Sequence, residues 1–221
     1  MNRHSLRGPS RPGTLAVALQ GLICLGLVLT VHLRAQPLTA QSSVDAAIQM
    51  LAAGQLDEGK AALVDAAGSL PPSEATRVLR MAGALGAVQP PARPLVARSI
   101  VLAARDSIHE ALAALTDAAP AAEQRETGEG ATLLMFAARL AEEAEPVVDA
   151  LPLYERLVAD HRDSTVWPEA VLRLSSLRLA SGTDLNQAAT DVENLIVDRP
   201  THPLVPGARL LLGRLQEAIG P

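Results

Sequence analysis

The run His161-Arg162-Asp163-Ser164 is the densest group of side chains in this sequence that could do chemistry, because it holds a base, an acid and a hydroxyl nucleophile. In hydrolytic triads these groups converge from separate parts of the fold, and no G-x-S-x-G turn surrounds Ser164. Aspartate, serine and threonine are preferred helix N-caps, and Asp163, Ser164 and Thr165 stand just before a predicted helix. We therefore predict a capping role for these residues and no catalytic residue.

Metal and cofactor chemistry has little support elsewhere in the sequence. His161 and His202 fall in separate turns between helices, so we expect solvent-exposed histidines and no metal site. Gly128 and Gly130 are too few for a nucleotide-binding loop. One acidic group lacks the spacing of an EF-hand calcium loop and is typical of a solvated helix face: Glu142, Glu143, Glu145 and Asp149. The sequence therefore predicts no cofactor.

The composition is that of a folded protein without the features of a nucleic-acid-binding domain. Of the 221 residues, 48% are hydrophobic and 19% are charged, which is enough to bury a core. The net charge is -5, and aromatic residues make up 1%, so both a basic patch for phosphates and stacking platforms for bases are missing. Cys24 is the only cysteine, which excludes disulfide frameworks and zinc sites built from cysteine.

The N-terminal segment, residues 1–40, has the charge pattern of an export signal. Arg3, Arg7 and Arg11 precede an apolar run from Thr14 to Leu33, and the first acidic residue comes later, at position 45. A run of this length could also span the hydrocarbon core of a membrane as an uncleaved anchor. Pro37 and the small Ala40 favour cleavage near Ala40 by a signal peptidase.

Both fates place the remaining chain outside the cytoplasm. Residues 1–40 contain four of the 19 basic residues and no acidic residue, so the exported part is more acidic than the whole chain. This charge argues against unaided adsorption to anionic lipid. Membrane contact is therefore expected only through the N-terminal segment, if it is not cleaved.

From Ser43 onward the sequence predicts helices throughout, because it is rich in alanine, leucine and glutamate and shows no alternation of period two. The fold class is therefore all-α. Residues 121–130 (AAEQRETGEG) are polar with two glycines and are interpreted as an exposed connection between two halves. Glycines and prolines predict the helix breaks: Gly54, Gly68, Pro71, Pro72, Pro90, Pro91, Pro94, Pro120, Gly128, Gly130, Pro146, Gly182, Pro200 and Pro203.

An internal repeat is the strongest pattern in the chain. Residues 154–174 (YERLVADHRDSTVWPEAVLRL) align with residues 192–212 (VENLIVDRPTHPLVPGARLLL) at one constant offset and without a gap. The unit consists of the end of one helix, a turn and the start of the next helix. The identical pairs are Glu155/Glu193, Leu157/Leu195, Asp160/Asp198, Pro168/Pro206, Ala170/Ala208, Leu172/Leu210 and Leu174/Leu212.

Small residues recur at a spacing of twelve, where two antiparallel helices could approach closely. Ser176 and Ala188 form such a pair, and Pro200 ends the second helix after the same interval. Two further sets follow the same spacing: Ala138, Ala150 and Arg162, and Ala47, Gly59 and Pro71. One hairpin cannot bury both of its faces, so the pattern predicts stacked hairpins.

This spacing resembles the helical hairpin of tetratricopeptide repeats. Residues 163–182 (DSTVWPEAVLRLSSLRLASG) are particularly similar to exported bacterial proteins of this class, such as those that work with the Tol-Pal system or in outer-membrane barrel assembly. The resemblance implies a solenoid of antiparallel hairpins in the periplasm, or anchored to the inner membrane and facing the periplasm. It divides the chain into residues 1–40, a divergent helical region 41–120, the connection 121–130, and repeats with a C-terminal capping helix at 131–221.

The same resemblance implies a groove lined by the inner helices, with Arg139, Glu142 and Arg173 as polar contacts for a partner. Trp167 is either a core residue or an exposed anchor for that partner. Its repeat counterpart, Val205, is aliphatic, which favours the core. The expected partner is another envelope protein or a peptide.

The sequence leaves three functions open. The first is a non-enzymatic interaction scaffold of the cell envelope. The second is an enzyme or enzyme subunit with its site in residues 72–120, and the third is a structural protein that associates with itself. The polar residues that an enzyme could use in that region are Arg77, Arg80, Arg98, Arg105, Asp106 and His109.

Overall fold

The computed structural model describes residues 40–123, 129–144 and 149–220. In these ranges the chain forms ten helices and no strand, which confirms the all-α prediction. The helices are α1 (40–52), α2 (Leu56–Ala67), α3 (Pro72–Ala87), α4 (Arg93–Ala104), α5 (Ile108–Glu123), α6 (Glu129–Glu142), α7 (Leu151–Asp160), α8 (Trp167–Ser181), α9 (Leu185–Asp198) and α10 (Val205–Ile219).

The predicted signal or anchor segment lies outside the described residues, apart from Ala40 at the start of α1. The predicted breaks at Gly128 and Pro146 also lie outside them. Among the helices that are described, none combines the length and the hydropathy needed to cross a membrane.

Prolines and glycines mark most helix ends, as the sequence predicts. Proline occupies one of the first two positions of α3, α4, α7, α8 and α10, where its missing N–H has no helical partner to lose. Gly182 ends α8 in the left-handed conformation, with φ 70°, and its N–H bonds to the carbonyls of the last turn.

Two helix ends differ from the prediction. Pro120 lies inside α5, so the predicted break there is wrong, and the buried Ala119 and Ala122 on either side of it keep this turn packed in the core. The break between α4 and α5 contains neither glycine nor proline. Asp106 makes that turn with φ 60°, a left-handed conformation that aspartate tolerates better than most residues.

Each helix packs on the next one in the chain, and the short turns between them make the neighbours antiparallel. Alternate helices also touch, since α2 contacts α4 and α8 contacts α10. The described helices therefore form an array of stacked hairpins, which is consistent with an α-solenoid.

The internal repeat is confirmed down to its hydrogen bonds. Helix α7 ends at Asp160 and α9 at the aligned Asp198, and α8 and α10 likewise begin at aligned positions of the repeat. In the first turn the Ser164 N–H donates to the His161 carbonyl at 3.0 Å, and in the second the His202 N–H donates to the Arg199 carbonyl at 3.0 Å. The two turns are therefore copies of one local structure.

The small-residue pairing needs a correction at α8. Ser176 is exposed, whereas its neighbour Ser175 is fully buried and donates a hydrogen bond from Oγ to the Ala188 carbonyl at 3.3 Å. The closest approach of α8 and α9 is therefore one residue earlier than predicted. At the upstream hairpin Gly59 does pack closely on α1, but its nearest neighbour is Leu51 and not the predicted Ala47, because a Cβ on Gly59 would lie 2.5 Å from Cδ2 of Leu51.

The hydrophobic core runs continuously from α1 to α8, and a second cluster joins Trp167 and Val171 of α8 to α9 and α10. Helix α6 lies at the centre of the larger cluster and is buried over most of its circumference. The described ends of the predicted connection 121–130 are helical, and Ala122, Glu129 and Gly130 are buried. An exposed connection is therefore wrong for these residues.

Candidate functional site

Helices α6 and α8 are joined by two ion pairs that involve all three of the predicted groove residues. Arg139 pairs with Glu169, and Arg173 Nη1 lies 3.3 Å from Glu142 Oε1. Both pairs advance in the same direction along the two helices, so α6 and α8 run parallel and side by side. These four side chains are between 28% and 40% exposed, so they form a polar surface that is partly open to solvent.

Glu142 also contacts the buried Tyr154 on α7. The Tyr154 hydroxyl donates a hydrogen bond to Glu142 Oε2 at 2.9 Å. Burial raises the pKa of Tyr154 above its usual value, and the charge and hydrogen bond of Glu142 raise it further. The three predicted groove residues therefore belong to one network of intramolecular ion pairs and hydrogen bonds.

This network predicts a loss of stability at alkaline pH. Because the folded-state pKa of Tyr154 is raised above the unfolded value of 10.0, its stabilisation is complete below pH 10 and decreases as the pH rises above 10. We expect the free energy of unfolding to fall by about 1.4 kcal/mol per pH unit in that range. Tyr154→Phe should remove this slope, measured by urea denaturation at a series of pH values. An unchanged slope in the variant would assign the alkaline loss to other groups.

On α8 a stripe of partly exposed residues continues from the ion pairs towards α10. Glu169, Arg173, Ser176 and Ala180 follow one another at intervals of three or four residues and share this face. Beyond the ion pairs, residues of α8 and α10 line a cleft of about 490 Å³. Its lining residues are Ser176, Leu179, Ala180, Leu211, Arg214, Glu217 and Ala218. We call the surface formed by α6, α8 and α10 the groove face.

Two charged residues on the rim of this cleft are not ion-paired in the described structure, unlike Arg139 and Glu142 on α6. Arg214 and Glu217 are exposed, and within the described ranges neither has an ion-pair partner. The sequence analysis did not select them, although they lie on the repeat helix equivalent to α8. On the groove face the free charges therefore lie at α10.

Trp167 is a core residue, as its aliphatic counterpart in the repeat suggests. Its side chain is 3% exposed, and Nε1 donates to the Val158 carbonyl at 3.2 Å. The guanidinium groups of Arg162 and Arg199 lie 5.7 and 5.8 Å from the ring centroid, within cation–π range. The alternative role as an exposed anchor is wrong.

The side chains of the run that starts at His161 form no hydrogen-bonded relay in the described structure. The His161 side chain is 8% exposed, with Nδ1 3.4 Å from Glu123 Oε1, so the expectation of a solvent-exposed histidine is wrong. The Ser164 hydroxyl is buried and has no hydrogen-bond partner in the described structure.

The capping prediction for Asp163, Ser164 and Thr165 is also wrong. The N-cap of α8 is Val166, and no side-chain hydrogen bond caps the helix. Backbone hydrogen bonds close this turn instead, and they place the start of α8 later than a cap at Ser164 or Thr165 would require.

The polar residues of the region 72–120 are not brought together. Arg80 forms an ion pair with Glu143 at the end of α6. The others are exposed, and no hydrogen bond or ion pair joins any two of them: Arg77, Arg98, Arg105, Asp106 and His109. Within the part of the chain that the structure covers, no three histidine, cysteine, aspartate or glutamate side chains are grouped closely enough to hold a metal ion.

Comparison of the chain with protein-family models, with curated proteins and with solved structures finds no match. The groove face is therefore interpreted from its own geometry. It combines a surface closed by ion pairs with an open cleft.

Proposed function

We propose that this protein is a non-enzymatic scaffold of the bacterial cell envelope that binds another envelope protein or peptide through the groove face. The observation that carries the proposal is the open cleft between α8 and α10, whose rim holds the unpaired Arg214 and Glu217. Partly exposed apolar walls with charges at the edge are typical of a protein-binding surface.

The array itself supports an interaction role of the tetratricopeptide type. Two successive turns have the same backbone hydrogen bonds at aligned positions of the repeat, and the described helices stack as hairpins. Such arrays present extended surfaces, and each hairpin contacts mainly its neighbours. The proposal includes export through residues 1–40, with the rest of the chain in the periplasm or tethered to the inner membrane.

A crosslinking pull-down from envelope extracts, with the full chain as bait, tests this function. Ser176→Arg/Ala180→Arg places two bulky cations on the exposed stripe of α8 and breaks none of the ion pairs there. The matched control, Ser73→Arg/Ala113→Arg, adds the same charge at exposed positions of α3 and α5. We expect a partner that is captured by the wild type and the control and is lost in the groove-face variant.

Two other results would change the proposal. A partner retained by the groove-face variant would place the interface elsewhere on the molecule. If the bait captured only further copies of the same chain, and light scattering gave the mass of an oligomer, self-association would be favoured instead.

A further inference from the structure

We propose that the cleft between α8 and α10 binds an extended peptide segment in which an apolar residue lies between an acidic and a basic residue. This inference rests on the proposed function and specifies its partner. The occupant follows from three features, which are the apolar walls of the cleft, its rim charges and the second cleft that adjoins it at Ala218.

The walls of the cleft are apolar and suit an apolar side chain of a partner. Leu179 and Ala180 of α8 face Leu211 and Ala218 of α10 across the opening. Leu211 is nearly buried and forms the floor, whereas Ala180 and Ala218 are exposed at the edge. An apolar side chain that enters here leaves water and contacts aliphatic groups on two sides.

The rim charges set the chemistry on either side of that apolar residue. Arg214 and Glu217 lie one helical turn apart on α10, about 5 to 6 Å between their Cβ atoms, and both line the cleft. The ion pairs between α6 and α8 leave no comparable free charge on that half of the groove face. Complementarity therefore calls for a carboxylate opposite Arg214 and a cation opposite Glu217.

A second cleft adjoins the first at Ala218, near the C-terminal end of α10, which favours an extended occupant over a helical one. Ala218 also lines a second cleft of about 550 Å³, together with Ile219 and the first turn of α9. Asn186 in that turn is exposed, and in the described structure its carboxamide has no partner. A carboxamide can both donate to and accept from a peptide backbone. An extended chain has free backbone groups along its whole length, whereas a helix has them only at its ends.

Selection from a phage-displayed library of random peptides on the immobilised full chain tests this inference. We expect the enriched peptides to share a leucine, isoleucine, methionine or phenylalanine with an acidic and a basic neighbour in a fixed order. Ala218→Arg should reduce their recovery about tenfold or more, because it fills the junction of the two clefts.

A charge-swap variant provides the sharpest readout. Arg214→Glu/Glu217→Arg keeps both charges on the rim in the reverse order, so peptides selected on it should carry their acidic and basic residues in the reverse order. The control, Arg209→Glu/Gln216→Arg, changes two exposed residues of α10 that line neither cleft, and it should leave the selected order unchanged.

The other outcomes overturn the inference and can be told apart from failure of the proposed function. Peptides that depend on Ala218 but show no charge preference, or keep the same order on the swapped variant, would refute the rim charges. Apolar residues at helical spacing in the enriched peptides would refute an extended occupant. Peptides insensitive to Ala218→Arg would refute this cleft, while loss of the envelope partner in the α8 stripe variant would still support the function.

Discussion

Replacing Gly130 with alanine is expected to destabilise the protein by about 3 kcal/mol. A Cβ at this position would lie 2.7 Å from the Ala119 carbonyl oxygen and 2.9 Å from the Glu123 Cβ, so α5 and α6 would have to move apart. The same movement would weaken the hydrogen bond from the Ala131 N–H to the Glu123 carboxylate, now 3.3 Å long. Because α6 lies at the centre of the core, a shift there affects most of its neighbours.

Gly213→Ala is the matched control, because it makes the same substitution in the exposed final helix. Apart from its chain neighbours and the nearby backbone of α10 itself, no atom lies within 4 Å of a Cβ built on Gly213, so alanine should fit and should stabilise α10 by about 0.5–1 kcal/mol. Urea denaturation followed by far-ultraviolet circular dichroism measures both variants. Equal stabilities would show that the contact between α5 and α6 at Gly130 is not as close as described.

The sequence predicts the repeat well because its signals are local. Pro168 and Pro206 fix the first turns of α8 and α10. Aligned apolar pairs are buried in both copies: Leu157/Leu195, Trp167/Val205 and Ala170/Ala208. A turn whose hydrogen bonds are formed by its own backbone depends little on distant residues. The two helix ends and the following helix starts could therefore be predicted from one alignment.

The rotation of a helix about its axis is harder to predict. Ser175 and Ser176 are equally small, but a helix turns by about 100° per residue, so only one of them can face α9. The spacing of twelve selects Ser176, whereas the structure buries Ser175 against Ala188. Contacts of α8 with its other neighbours, α7 and α10, fix this rotation, and a pattern within one hairpin contains no record of them.

Tertiary packing overrides the local signals at the end of α5. Pro120 and the polar residues that follow predict a break, but buried alanines continue the helix to Glu123. Conversely, Asp106 breaks the chain without a glycine because aspartate tolerates the left-handed conformation. Composition alone could not show whether a proline or the burial of its neighbours decides where a helix ends. The free energy gained by burial depends on the helices that pack on each segment.

At the candidate site, the sequence predicts which residues lie on the surface but not which residues they pair with. The resemblance selects Arg139, Glu142 and Arg173, and the structure does bring them to one surface between α6 and α8. It could not show that they neutralise one another, because the ion pairs join two helices that are far apart in the sequence. Likewise, the sequence could not show that Arg214 and Glu217 lack ion-pair partners in the described structure, because that depends on which helices pack beside α10.

Arg178→Met is the second variant for which we expect a large effect, a loss of about 3 kcal/mol. Arg178 is only 8% exposed and bonds to Glu155 of α7 at 3.1 Å and to Asp191 of α9 at 3.2 Å. Methionine would keep much of the volume of the side chain but would leave the Asp191 carboxylate, 12% exposed, with only the Gln187 carboxamide at 2.9 Å. An unpaired carboxylate in this position is costly because it has lost most of its water.

A surface ion pair supplies the control for this effect. Arg93 pairs with Asp57 at 3.3 Å, and Asp57 is 85% exposed, so Arg93→Met should cost less than about 1 kcal/mol. The double variant Arg178→Met/Asp191→Leu should recover at least half of the loss, because it removes the stranded charge together with its partner. Fluorescence of the single tryptophan, which lies on the same helix as Arg178, reports the unfolding of this region.

The pattern across the three variants decides what Arg178 does. Recovery in the double variant would show that the cost lies in stranding a buried charge, and that apolar contacts alone can hold α7 and α9 against α8. No recovery would show that the arginine itself joins the two helices. In that case the angle between successive hairpins, and with it the opening between α8 and α10, depends on this ionic link, and peptide recovery should fall in the double variant as well.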